Sequence, residues 1–143
     1  VNYEPMVIEY NVRMGDPETE AVLPRVNTDL MEIFVAIKDQ TLNQIDIEIS
    51  PETAATVVLV SGGYPGPYEK GHPIKGLESV ENALVFHAGA NNDGDKIVTS
   101  GGRVVAVTAF GNDYKAALSK SYQAISKITF QGMNYRRDLG FDL

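Results

Sequence analysis

Near its start the chain has the sequence Met6-Val7-Ile8-Glu9-Tyr10-Asn11-Val12-Arg13-Met14-Gly15-Asp16-Pro17-Glu18. Successive side chains of a β-strand point to opposite faces. The alternation up to Arg13 therefore predicts a strand, with Met6, Ile8, Tyr10 and Val12 on a core face and Val7, Glu9, Asn11 and Arg13 on the other. A turn into a helix should follow, with Asp16 as the N-cap and Pro17 as the first helical residue.

Glu9, Asn11 and Arg13, called the polar row below, place a carboxylate, a carboxamide and a guanidinium along one face, about 6–7 Å apart in an extended chain. Mg²⁺ binds hard oxygen ligands, usually one or two protein groups together with substrate phosphates. Glu9 and Asn11 offer two such oxygens, and the forked Arg13 suits a carboxylate or a phosphoryl oxygen. The alternative is an edge strand whose polar face only meets water, and spacing alone leaves both interpretations open.

Composition narrows the classes of function. The chain has 143 residues, of which 43% are hydrophobic and 22% charged, as expected of a globular domain with a core. A formal net charge of −7 argues against a nucleic-acid or anionic-membrane surface, which needs clustered Lys and Arg. The absence of Cys excludes disulfides and thiolate metal sites, and the presence of only two His excludes a multi-His zinc site.

The sequence gives little information on targeting. No apolar run approaches the ~20 residues that a membrane helix needs, and no signal peptide is visible, which means little in a chain that does not begin with Met. The chain begins with Val1 instead of Met and enters the predicted strand within a few residues. These features indicate a segment of a longer protein.

The first third of the chain is predicted to be mainly helical. A short helix over residues 18–23 should end or kink at Pro24. Residues 27–29 offer N-caps for a second helix that runs to about Gln40, with Leu30, Ile33, Phe34 and Ile37 at the spacing of a buried stripe. Residues 41–53 have the pattern of a linker, with a possible short edge strand at Ile45, Ile47 and Ile49. We place a domain boundary here, with residues 1–48 and 49–143 on its two sides.

The remainder predicts an antiparallel meander and one long helix. Strands are expected at residues 56–60, covered on both faces, and at residues 83–88, 96–99 and 103–110, with a turn at residues 91–95 between the second and third. Asn112-Asp113 should cap a helix over about residues 114–128 with a stripe at Leu118, Tyr122 and Ile125, and residues 130–143 should lie over the sheet as a tail. We expect His87 to be a structural residue within its apolar strand and His72 to be exposed.

Five motifs follow one another in a fixed order. They are Glu9-x-Asn11-x-Arg13-x-Gly15-Asp16-Pro17-Glu18, Ser61-Gly62-Gly63-Tyr64-Pro65-Gly66, Val85-Phe86-His87-Ala88-Gly89, Gly101-Gly102-Arg103-Val104 and Tyr135-Arg136-x-Asp138-Leu139-Gly140. Together they resemble phosphoribosylamine–glycine ligase, also called glycinamide ribonucleotide synthetase, over nearly the whole chain. Met14 stands where that family usually has Leu or Phe, and Leu139 stands where Ile is usual.

The resemblance implies an α+β fold. Residues 1–48 would be the end of an ATP-grasp domain, and residues 49–143 a small, mainly antiparallel C-terminal domain with one long helix. In this family ATP is thought to phosphorylate glycine, and 5-phosphoribosylamine then attacks the acyl phosphate, an early step of cytoplasmic purine biosynthesis. By resemblance, Glu9 and Asn11 are ligands of Mg²⁺ (or Mn²⁺), Arg13 is catalytic, and Asp16 and Glu18 are substrate-binding candidates.

The N-terminal and remaining ATP-grasp portions, with their phosphate loops and nucleotide-binding Lys residues, lie upstream in the family, so we expect this chain alone to be inactive. Two alternatives stay open. One is a segment of another ATP-grasp carboxylate–amine ligase or carboxylase, which would share the polar row. The other is a non-catalytic docking module whose glycine loops contact a partner protein around Tyr64.

Overall fold

A computed structural model describes residues 6–142 of the chain. Residues 1–5, before the predicted strand, and the final residue of the predicted tail lie outside the described residues. The strands are β1 (Thr53–Val60), β2 (Leu84–His87), β3 (Ala90–Asp93), β4 (Lys96–Thr99) and β5 (Arg103–Gly111). The α-helices are α1 (Thr19–Val22), α2 (Leu30–Lys38) and α3 (Tyr114–Ile125), and short 3₁₀ helices lie at Leu23–Arg25, Leu42–Gln44 and Leu77–Ser79.

The main sheet has three antiparallel strands in the order β1-β5-β2, and a separate hairpin pairs β3 with β4. The long strand β5 lies in the centre because it is apolar enough to be buried along almost its whole length. Two small antiparallel sheets with one long helix confirm the predicted fold class. Within residues 6–142, no helix is long and apolar enough to cross a membrane.

The core lies between the main sheet and α3. Val57 and Leu59 of β1 and Val105 and Val107 of β5 are fully buried and belong to one cluster with Ile125 of α3. Ser121, which was not predicted, is also buried, and its hydroxyl donates to the Ala55 carbonyl oxygen at 2.8 Å and to the Ala117 carbonyl oxygen at 3.1 Å. A small hydroxyl with two acceptors lets the helix approach the strand without an unsatisfied polar group.

The predicted meander is wrong in its pairing. The asparagines at positions 91 and 92 belong to β3, and the turn is limited to Gly94 and Asp95, with Gly94 at φ +59°. The strand β4 therefore pairs with β3, and β2 pairs with β5. The shorter turn forms because the glycine supplies the positive φ of a tight hairpin, which leaves the preceding residues free to pair.

The first strand is covered less completely than predicted. Val57 and Leu59 are buried, whereas Thr56, Val58 and Val60 are only partly buried, so one face is sealed and the other is half open. The third helix starts where predicted, and of the two predicted capping residues it is Asp113 that caps it, since its carboxylate accepts from the Ala116 N–H at 2.8 Å. The helix ends at Ile125, earlier than the predicted residue 128. The tail also packs on the sheet side, where Asn134 forms a bridge with Val60.

The strand predicted over residues 6–13 does not form. These residues have no regular structure, and Ile8 and Val12, assigned to a core face, are 96% and 98% exposed. Met6 and Tyr10, from the same predicted face, are also exposed. A strand needs a neighbour for its N–H and C=O groups, and residues 6–13 are paired with no other described segment.

The second helix forms where predicted, but its stripe is not buried. The Asp29 carboxylate caps it by accepting from the Met31 N–H at 2.8 Å. Leu30, Phe34 and Ile37 are exposed, and Ala36 is the buried residue of this helix. The edge strand considered for residues 45–49 reduces to a single bridge between Ile49 and Val26. Apolar spacing predicted the helix correctly and its environment wrongly, since three of the four stripe residues are exposed and the fourth, Ile33, is only half-buried.

Candidate functional site

The polar row lies on the surface. Glu9, Asn11 and Arg13 are all exposed. Within residues 6–142, the Glu9 carboxylate and the Asn11 carboxamide make no hydrogen bond or ion pair, and Arg13 donates from Nη1 to the Met14 carbonyl oxygen at 3.0 Å. The two oxygen-bearing side chains are therefore free to take a ligand, and the guanidinium makes one local contact.

The turn after the row is built differently from the prediction. Asp16 is not the N-cap, and Pro17, which follows a cis peptide bond, is not the first helical residue, because the helix begins at Thr19 after the N-cap Glu18. The Gly15 N–H donates to the Glu18 carboxylate at 2.7 Å, and the Thr19 hydroxyl donates to the Gly15 carbonyl oxygen at 2.6 Å. These two bonds close the turn, so Glu18 serves the backbone of its own turn.

Asp16 faces the C-terminal half of the chain. Its carboxylate lies 3.2 Å from Nη2 of Arg103, and its carbonyl oxygen accepts from Nη1 of the same guanidinium at 3.3 Å. Further along the same segment, the Glu20 carbonyl oxygen accepts from the Thr108 hydroxyl at 3.0 Å. The polar row is thus followed by a segment that is tied to the central strand β5 at two points.

A cavity of about 320 Å³ opens beside this junction. Its lining is mostly apolar and includes Pro17, Thr56, Val58, Arg103, Tyr135 and Leu139. Arg136 lies at the same cavity and pairs with Asp138 at 2.9 Å. The hydrogen bond from Arg136 lowers the pKa of the Asp138 carboxyl, and the same bond raises the pKa of Arg136. The cavity therefore combines an apolar wall with two arginines, each already paired with an aspartate.

A second cavity, of about 330 Å³, lies at the glycine loop and is lined by Gly62, Tyr68, Glu69, His72, Gln131 and Gly132. His72, expected to be exposed, is half-buried here, with Nε2 at 3.3 Å from the Glu69 carboxylate. His87, expected to be a structural residue within its apolar strand, is exposed at the end of β2, because this outer strand is covered less well than β5. Neither histidine lies in a recognisable nucleophile constellation.

The donor set of the row suits a magnesium ion. In the part of the chain that the structure describes, no three His, Cys, Asp or Glu side chains come together as a metal site. Two protein oxygens with remaining positions for phosphates and water are the usual way of holding Mg²⁺. Glu9 and Asn11 have the right chemistry for this, and the other ligands would come from outside residues 6–142.

Sequence analysis did not select Arg103 as a site residue, although it lies in one of the quoted motifs. The available signal was a guanidinium directly after Gly101-Gly102 at the first position of an otherwise apolar strand. Its partner is 87 residues away in the chain. That separation leaves no local pattern that links the two.

Comparison with known proteins gives a consistent result. Residues 54–142 match the family described as phosphoribosylglycinamide synthetase, C domain. Over 94% of its length, the chain is 47% identical to a phosphoribosylamine–glycine ligase of Caldanaerobacter subterraneus, of which it covers 32%. Over 94% of its length it is also 47% identical to a bifunctional purine biosynthetic protein of Schizosaccharomyces pombe, of which it covers 17%.

A solved structure agrees with the sequence relatives. The crystal structure of phosphoribosylamine–glycine ligase from Thermotoga maritima superimposes with a TM-score of 0.74 at 37% identity, covering 94% of this chain and 33% of that one. The chain thus spans about a third of the length of the single-function ligases that it resembles. The resemblance found in the sequence is confirmed, and the chain belongs to the phosphoribosylglycinamide synthetase family, with the C domain at residues 54–142.

Proposed function

We propose that this chain is the C-terminal part of an ATP-dependent ligase that joins glycine to 5-phosphoribosylamine in cytoplasmic purine biosynthesis. The observation that carries the proposal is the 47% identity over 94% of the chain to a relative named phosphoribosylamine–glycine ligase. Because that match includes most of residues 6–48 as well as the C domain, it favours this ligase over other ATP-grasp enzymes. The partner-docking hypothesis centred on Tyr64 has no observation of its own in favour.

The proposed reaction has two steps. The carboxylate of glycine takes the γ-phosphoryl group of ATP, which gives an acyl phosphate and ADP. The amine of 5-phosphoribosylamine then attacks the carbonyl carbon, a C–N bond forms, phosphate leaves, and the nitrogen loses a proton. Phosphoryl transfer of this kind depends mainly on positioning and on stabilising negative charge.

The polar row is suited to that task. Glu9 and Asn11 would hold Mg²⁺ or Mn²⁺, which neutralises charge on the phosphates when bound. Arg13 would pair with the glycine carboxylate or the transferring phosphoryl group, since a guanidinium matches the geometry of either anion. Asp16 and Glu18 remain candidates for contact with an amine, although each already has a partner in this structure.

The test uses the complete protein, purified and supplied with ATP, Mg²⁺, glycine and 5-phosphoribosylamine. We expect ADP to accumulate over many turnovers only when both glycine and the amine are present, because glycine alone supports only the first step. Glu9→Gln and Asn11→Ala should raise the Mg²⁺ concentration that gives half the maximal rate, and loss of such a charge-stabilising contact commonly lowers the rate by about 10²–10³-fold. The 143-residue chain alone should give no product.

Two results would contradict the proposal. ADP formation that ignores glycine and 5-phosphoribosylamine would remove the substrate assignment. A metal titration that is the same for Glu9→Gln, Asn11→Ala and the unmodified protein would remove the two ligands. Glu32→Gln is the matched control, because Glu32 is an exposed carboxylate on α2 outside the row.

A further inference from the structure

The central strand β5 contains an irregularity at its first residues. Along most of the β1–β5 pair the register is constant, and Leu59 pairs with Val105. The next residue of β1, Val60, pairs with Arg103 and not with Val104. One extra residue is therefore inserted in β5 at Val104, which is a β-bulge.

The bulge decides which way Arg103 points. Side chains alternate along a strand, so in a regular register Val104 would oppose Val60, and Arg103 would share a face with the buried Val105 and Val107. The extra residue moves the Arg103 side chain to the opposite face of the sheet. Arg103 instead shares a face with Thr108, because their cross-strand partners Val60 and Thr56 lie on one side of β1.

Residues 15–22, called the anchor segment here, dock on that face. Thr108 donates to the Glu20 carbonyl oxygen at 3.0 Å, and its hydroxyl oxygen lies 2.7 Å from that of Thr56. Arg103 contacts Asp16 at 3.2 Å through the carboxylate and at 3.3 Å through the carbonyl oxygen. Because the guanidinium binds both the side chain and the main chain of Asp16, it fixes the orientation of Asp16 as well as its distance from β5.

This junction is the tertiary support nearest to the polar row. Within the described part of the chain, the hydrogen bonds of residues 6–15 reach no further along than Thr19. Asp16 is the first described residue with a bond to a distant part of the chain, and it lies three positions after Arg13. The position of the row relative to the C domain therefore depends on what holds Asp16.

We propose that Arg103 is a positioning residue for the polar row. Turned by the bulge onto the outer face of the sheet, it clamps Asp16 and so holds the turn that follows Glu9, Asn11 and Arg13. The clamp acts through Asp16 and not on a reacting atom. The expected effect on the reaction rests on the proposed function, whereas the effect on the turn does not.

The first test measures hydrogen exchange in the complete protein. Arg103→Gln removes the charge and the fork, and Arg103→Lys keeps the charge but not the paired donors. The amides of the anchor segment, above all Gly15 and Thr19, should exchange about three- to tenfold faster in Arg103→Gln, with Arg103→Lys between it and the unmodified protein. Peptides from β5 should be unchanged, which shows that both variants fold. Arg136→Gln is the control, because its partner is the local Asp138.

The second test measures the reaction. Arg103→Gln should need several-fold more Mg²⁺ for half-maximal rate and should recover most of its kcat at saturating Mg²⁺, which a general loss of stability would not produce. Unchanged exchange in the anchor segment would overturn the proposal. So would a fall in kcat that Mg²⁺ cannot recover, since that is the signature of direct contact with substrate. A complete protein without ligase activity would instead overturn the proposed function, and the exchange result would still decide the clamp.

Discussion

Two helices of this chain have apolar side chains at helical spacing, an aspartate N-cap and similar length, yet their surroundings differ. α3 lies on the main sheet, and Ile125 near its end is 0% exposed. α2 forms equally well, but Ile37 near its end is 55% exposed. The difference shows that the local pattern is enough to form a helix, whereas burial requires a second surface supplied from elsewhere in the chain.

Two stretches predicted as strands repeat this contrast. Residues 53–60 form β1 because β5 lies beside them and pairs with every residue from Thr53 to Val60. Residues 6–13 alternate polar and apolar side chains, but they have no strand neighbour among the described residues and form no strand. The polar row therefore lies in a part of the chain that has the pattern of a strand but no partner strand within residues 6–142.

The largest difference between the two helices is expected when the matched isoleucines, Ile37 of α2 and Ile125 of α3, are truncated to alanine. Ile125→Ala should lower the free energy of unfolding of the 143-residue chain by about 2–5 kcal/mol, because it removes buried methyl groups and leaves a cavity. Ile37→Ala should change it by less than about 0.5 kcal/mol, as is usual for exposed positions. Urea denaturation followed by circular dichroism measures both. Equal losses would mean that α2 is as well packed as α3, and the contrast would fail.

Removing the N-caps of α2 and α3 tests the same difference in packing, with a smaller expected effect. Asp113→Ala should lower the global free energy of unfolding by about 1 kcal/mol, the usual value of an N-cap, because α3 unfolds together with the core. Asp29→Ala removes a cap of the same length, 2.8 Å, but should affect only the local opening of α2. Hydrogen exchange should show faster opening within α2, while the urea midpoint is unchanged. A shift of the midpoint as large as that of Asp113→Ala would show that α2 belongs to the cooperative core.

Sequence patterns predicted β1, β5 and α3 because those elements pack on one another, so their apolar faces in the sequence match real neighbours. The same reasoning failed for residues 6–13 and for α2, where it assigned a core that the described chain does not contain. The two metal-ligand candidates and Arg13 came from residue chemistry together with the family resemblance, and their roles stay predictions.

Arg103 could not be predicted from the sequence, for two physical reasons. Its contact with Asp16 joins positions 87 residues apart. Its direction depends on one extra residue in β5, and alternation in the sequence contains no sign of such a bulge. Junctions of this kind are visible only once the register of the sheet is known.

The smallest expected effect separates the two ion pairs at the apolar cavity. Arg103–Asp16 joins the two regions, whereas Arg136–Asp138 is contained within the tail. The hydrogen bond from Arg136 lowers the pKa of Asp138 in the folded chain. The small contribution of this ion pair to stability is therefore present above the ordinary pKa of an aspartate and is lost as the pH falls through the lowered pKa.

Arg136→Met should raise the pKa of Asp138 towards the ordinary value in an NMR titration, with little change in stability at neutral pH because both groups are exposed. Arg137→Met, which removes a guanidinium over the Tyr135 ring at 5.3 Å, should leave that pKa where it is. If Arg103→Gln shifted the pKa of Asp138 as much as Arg136→Met does, the two pairs would form one network, and the tail would depend on the junction with the N-terminal region after all.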